Sequence, residues 1–253
     1  MNHFLYLNNE IFKAIHLPEA VTVPGETHLA VFSFYGMKAE PLVDLHTGLV
    51  TGHEFLSMLP VGVCSETFFR YQSGTSLAEL FLLQLMLSEG LTAGLRFFNL
   101  PVRVLLNSPM CDVLSAQPLT DVVVEIQDPE ILPTFTPLQC DHLRKNLDGF
   151  RRAGARIYVD DVTPSLMQSL AGMSLQLSGL KVSRQEFQPL CTSPRALSTL
   201  NVSPHVHSPD EFRFVAEGIE TPEQRLLAIL AGYTHGQGWL WPAKIWQFAG
   251  ATA

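Results

Sequence analysis

Short apolar runs of strand length recur along the chain with helix-length intervals between them, and this alternation restricts the fold more than any other feature. Strand candidates are read at 40–45, 49–55, 102–107, 121–126, 156–161, 179–183, 213–217 and 238–241. Runs such as VVVEI and IYVDD are continuous rather than alternating, the pattern of strands covered on both faces. Helical patterns lie between them. Leu143, Leu147 and Phe150 share one face of the 141–153 segment, and Gly154 follows as a stop. Thr221 reads as an N-cap, with Pro222 at the first helical position and Gln224 closing a capping box. Leu226, Leu227 and Leu230 then supply the expected buried face, and Gly232 ends the helix.

Eight strands with interposed helices in 253 residues imply an α/β fold, a TIM-like (β/α)₈ barrel. His46-Thr47-Gly48 alone separates the first strand from the second. A parallel pair needs a crossover of about a dozen residues or more, so these two form an antiparallel hairpin. The barrel is therefore irregular, its first strand running against the rest. The barrel domain is assigned to residues 31–253, with 1–30 as an N-terminal extension in which Ile11, Ala14 and Ile15 suggest a short amphipathic helix.

Composition narrows the function. With 47% apolar residues the chain has the material for a core, which excludes disorder. A net charge of −8 argues against duplex nucleic acid as a partner, because phosphate contacts need a basic face. Cys64, Cys111, Cys140 and Cys191 lie far apart with no CxxC pair, the usage of core thiols rather than of a disulfide framework or a structural zinc site. The N-terminus shows no signal-peptide pattern, and the most apolar segment, 77–87, carries Glu79 and Gln84 and is too short to span a bilayer. A soluble, cytoplasmic protein with no membrane association is expected.

Polar residues fall near the end of nearly every strand, where barrels of this kind carry their chemistry. They are Glu54, Asn107, Glu125, Asp160, Asp161, Lys181 and Glu217, with Gln237 at the start of the last. So many acids converging on one rim repel one another unless cations are bound. Oxygen ligands without a Cys/His cluster favour Mg²⁺ or Mn²⁺ over zinc. Two such ions with a lysine form a site suited to phosphodiester hydrolysis.

The motifs carrying these residues resemble, in order, those of the EAL domain, the hydrolase of the bacterial second messenger cyclic di-GMP. AEPLVDLHTGLVTGHEFL is similar to the opening hairpin and signature motif, VLLNSP to the asparagine strand, and VVVEIQD to the second-glutamate strand. ARIYVDDV resembles the paired-aspartate motif, GLKVSRQEF the lysine strand, and FVAEGIETPEQ with the later GQG is the most specific match. The resemblance implies that Glu54, Asn107, Glu125 and Asp160 hold a first metal, and that Asp160, Asp161 and Glu217 hold or orient a second. It implies that Lys181 stabilises charge at the attacking water or the phosphate and that Glu217 is the candidate base. Glu220 would brace the loop after the fifth strand, and Gln237 would support the metal shell.

The sequence also departs from the family. Glu40-Pro41 stands where Gln-Pro is usual, Met58 where the signature has arginine, and Ser183 where the family has aspartate. The glycine-containing DDFGTG loop is here Asp160-Asp161-Val162-Thr163-Pro164-Ser165. Two readings follow. One is an active phosphodiesterase, using two Mg²⁺ or Mn²⁺ ions, that opens cyclic di-GMP to linear pGpG. The other is a degenerate member that acts by binding cyclic di-GMP or a protein partner. A homodimer is compatible with either.

Overall fold

A computed structural model describes residues 4–7, 10–13, 34–192 and 212–247. Strands β1 (Phe4–Leu7) and β2 (Glu10–Lys13) pair antiparallel in a sheet of their own. The main sheet holds β3 (Gly36–Asp44), β4 (Val50–Met58), β5 (Leu95–Pro101), β6 (Val122–Gln127), β7 (Arg156–Val159), β8 (Gly179–Val182), β9 (Arg213–Ala216) and β10 (His235–Gly236). They neighbour one another in chain order, and pairing of β10 with β3 closes the ring. From β4 to β10 every neighbouring pair is parallel, whereas β3 is antiparallel to both β4 and β10. The structure is thus a TIM-like barrel with a reversed first strand. The final strand, β11 (Lys244–Gln247), adds to the outer edge of β3 along Gly36–Ala39.

The hairpin turn follows from local chemistry. Asp44 Oδ1 accepts from the amides of His46 and Thr47, at 2.9 and 2.8 Å, and Gly48 takes the positive φ of 74°. Helices α1 (Ser65–Arg70), α2 (Gly74–Leu87), α3 (Val102–Leu105), α4 (Ser108–Ser115), α5 (Pro137–Arg152), α6 (Pro164–Ala171), α7 (Arg184–Cys191) and α8 (Pro222–Leu230) fill the crossovers. The side chain of Thr221 caps α8 in the expected capping box with Gln224. Helix α5 buries Leu143, Leu147 and Phe150 as the periodicity predicts, and Gly154 follows at φ 100°. Among the described residues, no helix is long and apolar enough to cross a membrane.

Four expectations are corrected. The third barrel strand is β5, not 102–107, because Pro101 ends the strand and serves as N-cap of α3. Val102, Val104 and Leu105 bury their side chains from a single helical turn, which β-branched residues tolerate when packing rewards it. The last barrel strand is His235–Gly236, and Gly238–Trp241 is a turn closed by the Trp241 amide on the Gly238 carbonyl at 3.1 Å. Helix α8 buries Ala228 and packs half-buried Leu227 against the core, while Leu226 and Leu230 are 60% and 80% exposed, so two of the three leucines lie on its outer face. Ile11 lies in β2, not in a helix, and Ala14 and Ile15 fall outside the described residues.

Two apolar layers form. The larger packs the outer face of the barrel against the helices. The smaller fills the lumen with Leu42, Leu95, Phe97, Val123, Tyr158 and Val215. Its two rings, Phe97 and Tyr158, meet edge to face with centroids 5.4 Å apart. Two glycines make room for them. A Cβ on Gly52 would sit 2.7 Å from the Phe97 ring, and one on Gly179 2.4 Å from the Tyr158 ring.

Candidate functional site

The site is the lumen floor moved two residues along each strand. Successive side chains on a strand alternate between faces, so residues two apart point to the same side. Phe97, Val123, Tyr158 and Val215 face the lumen, and two positions on come Asn99, Glu125, Asp160 and Glu217. The glycines beside the rings, Gly52 and Gly179, are followed in the same way by Glu54 and Lys181. On the reversed strand the step runs backwards, from Leu42 to Glu40, which pairs in register with Glu54. An apolar floor beneath a polar layer is thereby built into seven strands at once.

Lys181 is the centre of that layer. Its ammonium, 1% exposed, lies 2.7 Å from Glu217 Oε1, 2.9 Å from Glu54 Oε2, 3.1 Å from Glu125 Oε1 and 3.3 Å from Asp160 Oδ1. Burial alone would discharge it, but Asp160, Glu125, Glu217 and Glu54 outweigh that and hold its pKa well above the ordinary lysine value. The acids divide. Burial raises Glu54, yet Lys181 and the amides of Gln237 and Asn99 bring it below its usual value. Burial pushes Glu125 and Glu217 well above theirs against the pull of Lys181, with the neighbouring carboxylates adding to the rise. Asp161 is exposed on its outer side, yet partial desolvation against the cleft and then adjacent Asp160 raise it to about 6.

Three side-chain amides link these acids. Gln237 Nε2 donates to Glu40 Oε2 at 3.1 Å and to Glu54 Oε2 at 2.8 Å. Asn99 Nδ2 donates to Glu54 Oε1 at 2.9 Å, and Gln127 Nε2 donates to Asn99 Oδ1 at 2.7 Å and Asp160 Oδ2 at 2.5 Å. Glu125 Oε1 and Asp160 Oδ1 face the shared Lys181 ammonium at 3.1 and 3.3 Å, whereas Oε2 of fully buried Glu125 has no hydrogen-bond partner among the described residues. A buried carboxylate oxygen left in that state calls for a cation or a proton. Carboxylate oxygens of Glu54, Glu125 and Asp160 lie within 4.8 Å of one another, as do those of Asp160, Asp161 and Glu217, so two ions sharing Asp160 could be held. Five carboxyls against one ammonium leave an excess that two divalent cations would balance. The donor set therefore fits hard metal ions.

The polar layer brings together Glu54, Glu125, Asp160, Asp161, Lys181, Glu217 and Gln237. Asn107 is not among them. It precedes α4 as its N-cap, and its Oδ1 accepts from the Met110 amide at 3.1 Å. The carboxamide beside Glu54 belongs to Asn99, which the strand reading missed along with Gln127. Alternation with Phe97 in the run LRFFNLP was the available signal. Glu220 is engaged by Arg184, whose Nε and Nη2 lie 3.1 and 2.5 Å from Glu220 Oε1.

The residues that depart from the family pattern also have places. Glu40 forms an ion pair with Lys38 at 2.5 Å, and Met58 ends β4 opposite Gly36. In the glycine-free loop, Asp161 itself takes the left-handed conformation at φ 49°. The next residues start α6, where Thr163 Oγ1 accepts from the Leu166 amide at 3.2 Å and Pro164 follows. A cleft of about 270 Å³ opens above the polar layer, lined in part by Asp160, Asp161, Glu217, Arg184 and Trp239.

Solved structures share this architecture. An EAL domain protein from Listeria monocytogenes EGD-e is 18% identical with a TM-score of 0.64, over 84% of this chain and 89% of that one. Klebsiella pneumoniae BlrP1, in its manganese and cyclic di-GMP complex, is 21% identical with a TM-score of 0.61, over 92% of this chain and 64% of that one. The EAL enzyme Bd1971, bound to cAMP and cyclic di-GMP, is 20% identical with a TM-score of 0.60, over 81% of this chain. The aligned region spans 60% of Bd1971, so the chain corresponds to about three fifths of that protein. At these identities the likeness establishes the fold. No curated protein matches the sequence significantly. The family model for the EAL domain, however, matches residues 36–243, which span the whole barrel and every member of its polar layer, and the chain belongs to the EAL domain family.

Proposed function

We propose that the protein is a metal-dependent phosphodiesterase that hydrolyses cyclic di-GMP to linear pGpG. The observation that carries this reading is the pair of carboxylate groups sharing Asp160, set around the buried Lys181 at the strand ends. Glu54, Glu125 and Asp160, with Asn99 beside Glu54, would hold one Mg²⁺ or Mn²⁺ ion, and Asp160, Asp161 and Glu217 the other. Such ions supply the Lewis acidity that polarises a phosphodiester and makes water nucleophilic near neutral pH.

The chain's own groups do the rest. Glu217 borders the cleft with its pKa raised by burial, and its carboxylate is the group placed to accept a proton from water there. Lys181 stays charged and places a fixed positive charge where negative charge grows on the phosphate oxygens. Gln237, Asn99 and Gln127 hold the carboxylates in place, so little reorganisation is needed as charge moves. The amide of Gln237 fixes Glu40 beside Glu54, and Glu40 in turn ties to Lys38 at the mouth.

The test is release of pGpG from cyclic di-GMP by the purified protein with Mg²⁺ or Mn²⁺, and its loss on chelation. Metal-dependent pGpG formation supports the enzyme. Tight binding without turnover would instead favour a protein that acts by holding the nucleotide.

A further inference from the structure

The opposite end of the lumen, away from the cleft, holds a second polar cluster that the metal layer does not use. Strand register brings its members together. Tyr158, Gly179 and Arg213 stand side by side on β7, β8 and β9. Arg213 is two positions before lumen-facing Val215, and His235 pairs with Val215 from β10, so both side chains share that face. The absence of a side chain at Gly179 lets them meet. A Cβ there would overlap Cε2 and Cζ of Tyr158, so the hydroxyl end of the ring passes over Gly179 on the side of Arg213.

Three polar atoms are left over at this end. Arg213 lies close enough to pull on the phenol, yet Arg213 Nη1, the Tyr158 hydroxyl and His235 Nε2 are all buried without a well-formed hydrogen bond among the described residues. Tyr158 is 0% and His235 6% exposed, whereas Arg213 is half-buried and reaches toward solvent at the bottom of the barrel. All three atoms act as donors. The phenol stays protonated, since burial raises it to about 12 against the pull of Arg213 and Arg156. Burial and then Arg213 outweigh Asp44 and lower His235 to about 4, so the imidazole is neutral and one ring nitrogen carries the proton. Thr234 decides which. Its hydroxyl lies 2.9 Å from His235 Nδ1 and 3.1 Å from the Phe214 carbonyl, which already accepts the Thr234 amide at 3.0 Å. The hydroxyl proton goes to Nδ1, which leaves the ring proton on Nε2. Asp44, the carboxylate in register with His235, has its Oδ1 taken by the hairpin amides.

Buried donors that converge without an acceptor, one of them on a guanidinium, call for an anion. We propose that Arg213, Tyr158 and His235 form a site for a small inorganic anion, chloride in ordinary salt, at the bottom of the lumen. The ion holds the Tyr158 ring from below and stabilises the folded chain by mass action. It does so without touching the metal ligands.

The experiment follows thermal unfolding of the full chain at fixed ionic strength while sodium gluconate is exchanged for sodium chloride, beside the line width of the chloride NMR signal. The parent's midpoint climbs with chloride and saturates, and its chloride signal is broadened by exchange at the site. Tyr158→Phe keeps the ring and removes one donor, so it needs roughly tenfold more chloride for the same climb. Arg213→Gln removes the charge and abolishes the dependence, while Mg²⁺ affinity stays at the parental value because the polar layer is untouched. Should Arg213→Gln fail to fold, Tyr158→Phe carries the test. A parental midpoint that is the same in both salts, with no broadening, overturns the proposal and assigns the three donors to buried water. Chloride dependence that persists unchanged in both variants places the ion elsewhere and overturns it as well.

Discussion

Lys181 holds four carboxylates together from inside the barrel, so its removal tests the charge balance directly. Breaking a buried ion pair from one side costs about 3–5 kcal/mol, because the remaining charges lose their compensation. Lys181→Ala is therefore expected to lower the unfolding free energy of the metal-free chain by about that much at pH 8. Saturating Mg²⁺ should restore a good part of the loss, since the ions replace the missing charge. Denaturant unfolding with and without chelator checks this, and an unchanged midpoint in chelator would mean the carboxyls are protonated instead. A second residue-scale test separates the two asparagines. Asn99→Ala removes a donor to Glu54 and an acceptor for Gln127, and should weaken Mg²⁺ binding at least tenfold. Asn107→Ala removes a helix cap and should cost about 1 kcal/mol of stability while leaving Mg²⁺ affinity at the parental level. Equal loss of metal affinity in both variants would overturn this division of roles.

At the scale of elements, strand parity ties the site to the floor beneath it. A Cβ at Gly179 would overlap the Tyr158 ring, and both residues stand two positions before members of the polar layer, Lys181 and Asp160. Gly179→Ala should destabilise by about 1–3 kcal/mol, the usual cost of overpacking, and should weaken Mg²⁺ binding as Tyr158 shifts. In a Tyr158→Leu background the added methyl has room, so a double-mutant cycle should show that most of the cost is coupling between the two. The same parity explains what could be read without coordinates. Glu54, Glu125, Asp160, Lys181 and Glu217 stand in or directly after runs that are strands and nothing else, so their convergence was legible. Asn107 was misread because VRVLLN has strand-like composition, and the Pro101 that ends β5 lies just before it. The leucines of α8 have helical spacing on either reading, and spacing does not say which face meets the barrel. Glu220, in the loop after β9, meets Arg184 at the start of α7, and no local pattern encodes that pairing.

For the whole molecule, the raised acids link stability, pH and metal. A carboxyl whose folded pKa lies above its unfolded value holds its proton more tightly in the fold. Its contribution is complete when it is protonated in both states and is lost as pH rises from the unfolded to the folded pKa. For Asp161, moved from 3.8 to about 6, that loss falls between about pH 4 and pH 6, and the raised Glu125 and Glu217 carry it higher. Glu54 has the opposite sign, since its lowered pKa gives stability above the ordinary carboxylate range that is lost at more acid pH. Lys181 remains charged throughout this window and does not alter its shape. The metal-free chain should therefore be most stable near pH 4–5 as far as these groups decide, and should weaken toward pH 8. Divalent ions need the deprotonated carboxylates, so Mg²⁺ binding must expel the protons that Asp161, Glu125 and Glu217 retain. Its apparent affinity should rise with pH, and Mg²⁺ should stabilise the fold most where the metal-free protein is weakest. Titration calorimetry at pH 6 in two buffers of different ionisation enthalpy would count the released protons. Denaturant midpoints from pH 4.5 to 8, with and without Mg²⁺, would trace the stability. Zero proton release together with parallel pH profiles would show that these carboxyls are already ionised without metal and that the unpartnered Glu125 Oε2 is satisfied in some other way.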